Sequence, residues 1–173
     1  MSPGPAPSFI TADPTGRFAY VTTTGDDAIS AYSVNASTGA LSLIGGASTP
    51  VTQSDPASIA IDPSGRFLYL ANTGSDSISV YAINNDGSLS QVGLPVVTAF
   101  NNDPASVAVD PSGRFLYVAN RTSDDLWAYS INAADGTLTA IGTPLSGTNM
   151  DAPISIAIDA SGRFLYTANS RLI

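Results

Sequence analysis

The chain has 173 residues, 43% of them hydrophobic, enough for the core of one ordinary domain or for part of a larger one. All 14 acidic residues are Asp and all 6 basic residues are Arg, so Glu, Lys, His and Cys are absent and the net charge is −8. That inventory excludes a Ser-His-Asp triad, a thiol nucleophile, a Cys or His zinc site and a redox dithiol built from this chain, and an acidic chain without a basic cluster predicts no nucleic-acid partner.

Glu and Lys usually face solvent on helices, so their replacement by Ser, Thr, Gly, Asn and Asp predicts an all-β fold. In chain order, a unit that begins in weak form at Pro7 to Thr23 recurs as Pro56 to Asn72, Pro104 to Asn120 and Pro153 to Asn169. The arginine after its turn glycine falls at Arg17, Arg66, Arg114 and Arg163, in steps of 49, 48 and 49 residues. The first unit, with strands between Phe9 and Ile44, carries Tyr32, Asn35, Gly39 and Leu41; these return as Tyr81, Asn84, Gly87 and Leu89, then as Tyr129, Asn132, Gly136 and Leu138.

The second unit shows the strands most clearly, because its pattern has period two. Ser58 to Asp62 is a strand alternating small residues with Ile59 and Ile61, and Asp62-Pro63-Ser64-Gly65 suits a type I turn. Phe67 to Asn72 is the second strand, Thr73 to Asp76 a polar loop, and Ser77 to Ile83 the third strand. After the turn Asn84 to Gly87, Leu89 to Val92 is the fourth, and Gly93 to Pro104 is expected to be a connection. The third unit repeats this from Ser106 to Ile141, and the last has two strands, Ser155 to Asp159 and Phe164 to Asn169.

Four antiparallel strands per unit of about 40 to 50 residues predict a β-propeller. The blades fall at approximately 7–49, 56–97 and 104–146, with a half blade at 153–173. Three and a half blades imply either a fragment of a longer propeller, the reading favoured here, or chains that complete a ring together. Self-association through open blade edges is expected in either case. No apolar run approaches the roughly 20 residues that span a bilayer, so no membrane span is expected.

The motifs Pro-x-Ser-Ile-Ala-Ile-Asp-Pro-Ser-Gly-Arg-Phe-Leu-Tyr-x-Ala-Asn, Ile-Ser-Val-Tyr-x-Ile-Asn and Gly-x-Leu resemble the lactonase-type seven-bladed propellers. That family includes bacterial 6-phosphogluconolactonase-like proteins and stands close to the surface YVTN propellers. The resemblance implies a hydrolase of lactones in sugar metabolism, a small-molecule lactone or sugar ligand, no cofactor, and a periplasmic or extracellular location over a cytoplasmic one. The alternative is a non-catalytic exported or cell-surface propeller that binds or scaffolds.

Catalytic members carry Pro-Arg-His before the innermost strand and Asn-Glu after the second. On this chain the Arg position falls on Ser8, Ala57, Ala105 and Ile154, the His on Phe9, Ser58, Ser106 and Ser155, and the Glu on Thr24, Thr73, Arg121 and Ser170. No copy keeps the set, so the catalytic residues stay unassigned. Arg121, which breaks the repeat at the Glu position, is the leading ligand contact, joined by Asn72, Asn120 and Asn169; each Asn alternatively caps its own loop.

Arg17, Arg66, Arg114 and Arg163 are expected to pair structurally with Asp13, Asp62, Asp110 and Asp159. The Asp-rich loops read as turns rather than calcium sites, because a terminal Glu is missing. Trp127 reads as a packing variant, with sugar stacking as the alternative.

Overall fold

Each unit is organised around the carboxylate of its turn. Asp62 accepts bonds from the backbone N–H of Ser64 (3.2 Å), Arg66 (2.8 Å) and Phe67 (2.7 Å), and from the Ser64 hydroxyl. The Asp62 carbonyl takes the Gly65 N–H at 2.9 Å, and Gly65 lies at φ +70°, where a glycine is unstrained. Asp13, Asp110 and Asp159 hold their turns in the same way. Burial raises the Asp110 carboxyl, but the bonds from Ser112, Phe115 and Arg114 outweigh it and hold the group below its ordinary value; Asp13 behaves alike.

The computed structural model describes residues 6–45, 49–50, 53–98, 102–147 and 150–170. Its first sheet contains β1 (Pro7–Ala12), β2 (Phe18–Thr23), β3 (Ala28–Val34), β4 (Leu41–Leu43) and β5 (Thr49–Pro50). The second contains β6 (Pro56–Ile61), β7 (Phe67–Asn72), β8 (Ser77–Ile83), β9 (Leu89–Gln91) and β10 (Val96–Val97). The third contains β11 (Pro104–Val109), β12 (Phe115–Asn120), β13 (Asp125–Ile131), β14 (Leu138–Ala140) and β15 (Leu145–Ser146), and the fourth β16 (Pro153–Ile158) with β17 (Leu165–Asn169). All pairings are antiparallel, and among the described residues the only helical turn is the 3-10 turn Thr73–Ser75. The fold is an all-β partial propeller.

Two expectations need correction. The outer strand is broken in two: β9 pairs with the C-terminal half of β8 (Ile83 opposite Leu89), whereas β10 returns to its N-terminal half (Ile78 opposite Val96). Gly93 at φ +63° and the following Pro95 make the jog, so the stretch expected to be only a connection contains a strand.

The second correction concerns the turn arginines, which form no ion pair with their aspartates. Arg17, Arg66 and Arg114 donate Nε to the hydroxyls of Thr15, Ser64 and Ser112, which the aspartates also hold, and each guanidinium lies 4.9–5.2 Å from the ring of the next Phe. The intervening hydroxyl takes the contact that a salt bridge would have used. Arg163 likewise lies over Phe164, at 5.6 Å.

Successive sheets pack face to face. Alternation along β7 sends Phe67, Tyr69 and Ala71 toward the third sheet and Leu68 and Leu70 toward the first, so the two clusters they enter are the inter-blade cores. Trp127 joins the second of these, its ring stacked on Tyr129 at 6.1 Å, which supports the packing reading. Tyr20 donates its hydroxyl to the Gly87 carbonyl of the next blade at 3.0 Å, and Tyr69 repeats this with Gly136 at 3.3 Å. A Cβ on Gly87 or Gly136 would sit 2.5 Å from Phe18 or Phe67, so these glycines let the hairpin receive the ring.

Candidate functional site

The second strands β2, β7, β12 and β17 end on one rim of the sheets, where Thr23, Asn72, Asn120 and Asn169 stand opposite Pro7, Pro56, Pro104 and Pro153. Asn72 and Asn120 are fully buried. The Asn72 amide donates to Ser79 Oγ (2.9 Å), Ser77 Oγ (3.2 Å) and the Ser77 carbonyl (3.3 Å), and Asn120 donates to Asp125 at 2.7 Å. Both therefore tie the end of the second strand to the start of the third, across the loop each was expected to cap or to use for a ligand. Asn169, on β17, is exposed.

Ser8, Ser58, Ser106, Thr73 and Ser170, five of the twelve positions that match the family's catalytic residues, carry side-chain bonds between blades or across a sheet. Ser8 Oγ donates to the Pro56 carbonyl (2.9 Å), Ser58 Oγ accepts from Val107 N–H (3.3 Å) and Ser106 Oγ from Ile156 N–H (3.2 Å). Thr73 donates to the Pro104 carbonyl at 2.9 Å, and Ser170 to the Ala152 carbonyl at 3.1 Å. The aspartates of the polar loops serve the same end: Asp27, Asp76 and Asp124 accept the N–H of Asp55, Asp103 and Ala152 at 2.7–2.8 Å.

Arg121 departs from this pattern. Its Nε and Nη2 both reach Asp103 Oδ2 at 2.7 Å, and its side chain remains 49% exposed, so the guanidinium is aimed but accessible. Thr122 donates to the same oxygen at 3.1 Å. Around it the third blade differs from the second. In the second blade the Ser54 and Ser75 hydroxyls lie 3.0 Å apart; in the third, Asn102 and Ser123 occupy those places. The Asn102 amide nitrogen, Ser123 Oγ and Asp103 Oδ1 are buried there with no hydrogen-bond partner among the described residues, as are Asn120 Oδ1 and, in the second blade, Asn72 Oδ1. Buried polar atoms are rarely left so, and a small hydroxylated or carbonyl ligand, or ordered water, would satisfy them. An exposed guanidinium beside such groups can grip a carboxylate or phosphate, or polarise a carbonyl oxygen.

Sequence reasoning singled out Arg121, Asn72, Asn120 and Asn169; the structure adds Asn102, Asp103 and Ser123 beside Arg121. The run Asn101-Asn102-Asp103, where the second unit has Gln53-Ser54-Asp55, was the available signal.

The family model described as "Lactonase, 7-bladed beta-propeller" matches residues 2–99 and 94–171. No curated protein matches the chain. Among solved structures, the "putative 6-phosphogluconolactonase" of Bacteroides uniformis superposes with a TM-score of 0.84 at 21% identity, over 95% of this chain and 48% of that one. The periplasmic gluconolactonase of Pseudomonas aeruginosa gives 0.70 at 22%, over 99% and 45%. Hydrazine synthase of Kuenenia stuttgartiensis gives 0.68 at 22%, over 94% and 42%. At such identities the likeness establishes the fold alone, and the chain spans about half the length of these structures.

Proposed function

Because the chain belongs to the lactonase family of seven-bladed β-propellers, we propose that it serves the hydrolysis of a sugar-acid lactone of the 6-phosphogluconolactone kind, supplying propeller blades and the substrate-gripping Arg121. The observation that carries this reading is the third blade's rim, where an accessible guanidinium stands among buried polar groups that have no partner among the described residues. Arg121 would hold the anionic end of the substrate or the lactone carbonyl, stabilising the oxyanion that forms when water attacks. Asp103 would keep the guanidinium in place. None of the four units carries the family's His and Glu, so the group that activates water is not assigned to them. The periplasmic gluconolactonase among the neighbours supports a periplasmic or extracellular setting. Among the described residues, no helix is long and apolar enough to cross a membrane.

A second reading, a binding propeller without catalysis, is favoured by one observation: Ser8, Ser58, Ser106, Thr73 and Ser170, at matched catalytic positions, are occupied in stitching strands and blades.

Calorimetric titration with 6-phosphogluconate, the hydrolysis product, tests the site. Binding that weakens at least about tenfold in Arg121→Ala is expected, as for loss of a charge-assisted contact. No binding, or binding indifferent to Arg121→Ala, overturns the assignment. Acid release from δ-gluconolactone then separates the readings: a rate above the spontaneous one supports the hydrolase, and binding without it supports the second.

A further inference from the structure

The hairpin that carries Arg121 departs from the repeat at more than that residue. The third strands open on Ala28, Ser77 and Asp125, opposite Thr23, Asn72 and Asn120, and two residues further on stand Ser30, Ser79 and Trp127. In the second blade the Asn72 amide therefore finds two hydroxyls, of Ser77 at 3.2 Å and Ser79 at 2.9 Å, as well as the Ser77 carbonyl at 3.3 Å. In the third blade neither hydroxyl is present. The Asn120 amide instead makes one short bond of 2.7 Å to the Asp125 carboxylate.

Asp125 is only 8% exposed. Alternation along β13 places it on the face of Trp127 and Tyr129, which pack against the second sheet, so its burial belongs to an interface whose two blades are both in place. Among the described residues the only ion pair joins Arg121 to Asp103, and Asp125 takes part in none. A buried carboxylate without a countercharge gives up far more solvation than a serine hydroxyl, and one bond from a neutral amide recovers only part of it. Folding alone therefore favours the serine that the second blade uses. What the carboxylate adds is a firmer hold on Asn120, because a charged acceptor roughly doubles the strength of a hydrogen bond.

Asn120 immediately precedes Arg121, and its bond to Asp125 closes the base of the loop from Arg121 to Asp124. The rest of that loop is tied down as well: the N–H groups of Arg121 and Thr122 reach the carbonyls of Asp103 (2.9 Å) and Asn102 (3.2 Å), and Asp124 accepts the Ala152 N–H at 2.7 Å.

We propose that Asp125 is a positioning residue for Arg121: through Asn120 it fixes the base of the loop from which the guanidinium reaches its ligand. The inference rests on the reading of Arg121 as the ligand-gripping residue. A loop held in place before the ligand arrives loses less freedom on binding, so the contribution of Asp125 is to affinity and not to stability.

Asp125→Ser, which installs the second blade's own residue, separates those two quantities. Calorimetric titration of the 173-residue chain with 6-phosphogluconate should show affinity falling at least about fivefold, while the urea midpoint stays unchanged or rises. Asp125→Asn keeps an acceptor of the same reach without the charge, and its affinity should lie between those of wild type and Asp125→Ser. Affinity indifferent to Asp125→Ser but weakened by Arg121→Ala overturns the positioning role alone and leaves the reading of Arg121 standing. A midpoint that falls together with affinity makes Asp125 merely structural and overturns the proposal. So does an Asp125→Asn variant as weak as Asp125→Ser, which would mean that the charge meets the ligand directly. Wild type that binds no 6-phosphogluconate overturns the reading of Arg121 and this inference with it.

Discussion

Replacing Asp110 by Ala tests whether the turn carboxylate organises the blade. Asp110 is 8% exposed and accepts bonds from Ser112 N–H (3.1 Å), Arg114 N–H (2.8 Å), Phe115 N–H (2.8 Å) and the Ser112 hydroxyl. In the variant the exposed Ser112 groups regain water, whereas the N–H groups of Arg114 and Phe115, which point inward at the lost carboxylate, are poorly resolvated. A charge-assisted bond contributes about 1.5–3 kcal/mol, and partial rehydration offsets some of that, so the expected loss is about 2–4 kcal/mol. For a chain of this length each kcal/mol shifts Tm by about 2–4 °C, giving a drop of about 5–15 °C at pH 7, read by circular dichroism.

Acid supplies the internal control. The folded carboxyl lies below its ordinary 3.8, so the unfolded chain binds the proton first as pH falls. The stabilisation is fully present above that ordinary value and is lost as pH drops through the folded one. The gap between wild type and Asp110→Ala should therefore narrow in acid. A loss under about 0.5 kcal/mol at neutral pH, or a gap that stays constant in acid, would refute the reasoning.

Three further outcomes follow from the inter-blade contacts. Tyr69→Phe removes a buried bond to Gly136 and should cost about 1 kcal/mol in urea unfolding, whereas Tyr117→Phe, with no such bond among the described residues, should be close to neutral. Gly136→Ala forces a Cβ within 2.5 Å of Phe67 at φ +77° and should destabilise more than Gly39→Ala, which meets only the left-handed penalty of about 1 kcal/mol; equal effects would deny the hairpin its role as a receiving surface. In alkali, burial pushes the hydroxyls of Tyr20, Tyr69 and Tyr81 upward, and that of Tyr129, further raised by Asp125, up to about 12. Their contribution is intact below pH 10.0 and declines as pH rises toward the folded values, so phenolate absorbance should appear in two stages, the second coincident with unfolding.

What the sequence made legible was local. The turn Asp62 to Gly65 and the strands Phe67 to Asn72 and Ser77 to Ile83 close on hydrogen bonds between residues near in sequence, and their period-two pattern states which side is covered. The second half of the outer strand was hidden because Gly93 and Pro95 punctuate as a loop does, although here they only jog the strand across β8. The aspartates of the polar loops were read as turn residues because Asp27 and Asp76 find their acceptor roles 28 and 27 residues onward, at the N–H groups of the next blade.

The site was half legible for a related reason. In a repeat protein, a residue placed identically in each unit is explained by the contact between units, and the serines at matched catalytic positions do make such contacts. A residue that breaks the repeat has no such explanation, which is why Arg121 stood out from sequence alone. Asn102 and Ser123 did not, since their significance lies in the contrast with the second blade, where Ser54 and Ser75 bond to each other. Introducing the second blade's bond with Asn102→Ser should therefore separate scaffold from site: if Asn102 serves ligand binding in place of such a staple, the variant gains stability and binds 6-phosphogluconate less well. Gain in stability with binding unchanged would assign the orphaned groups to ordered water and leave Arg121 to hold the ligand alone.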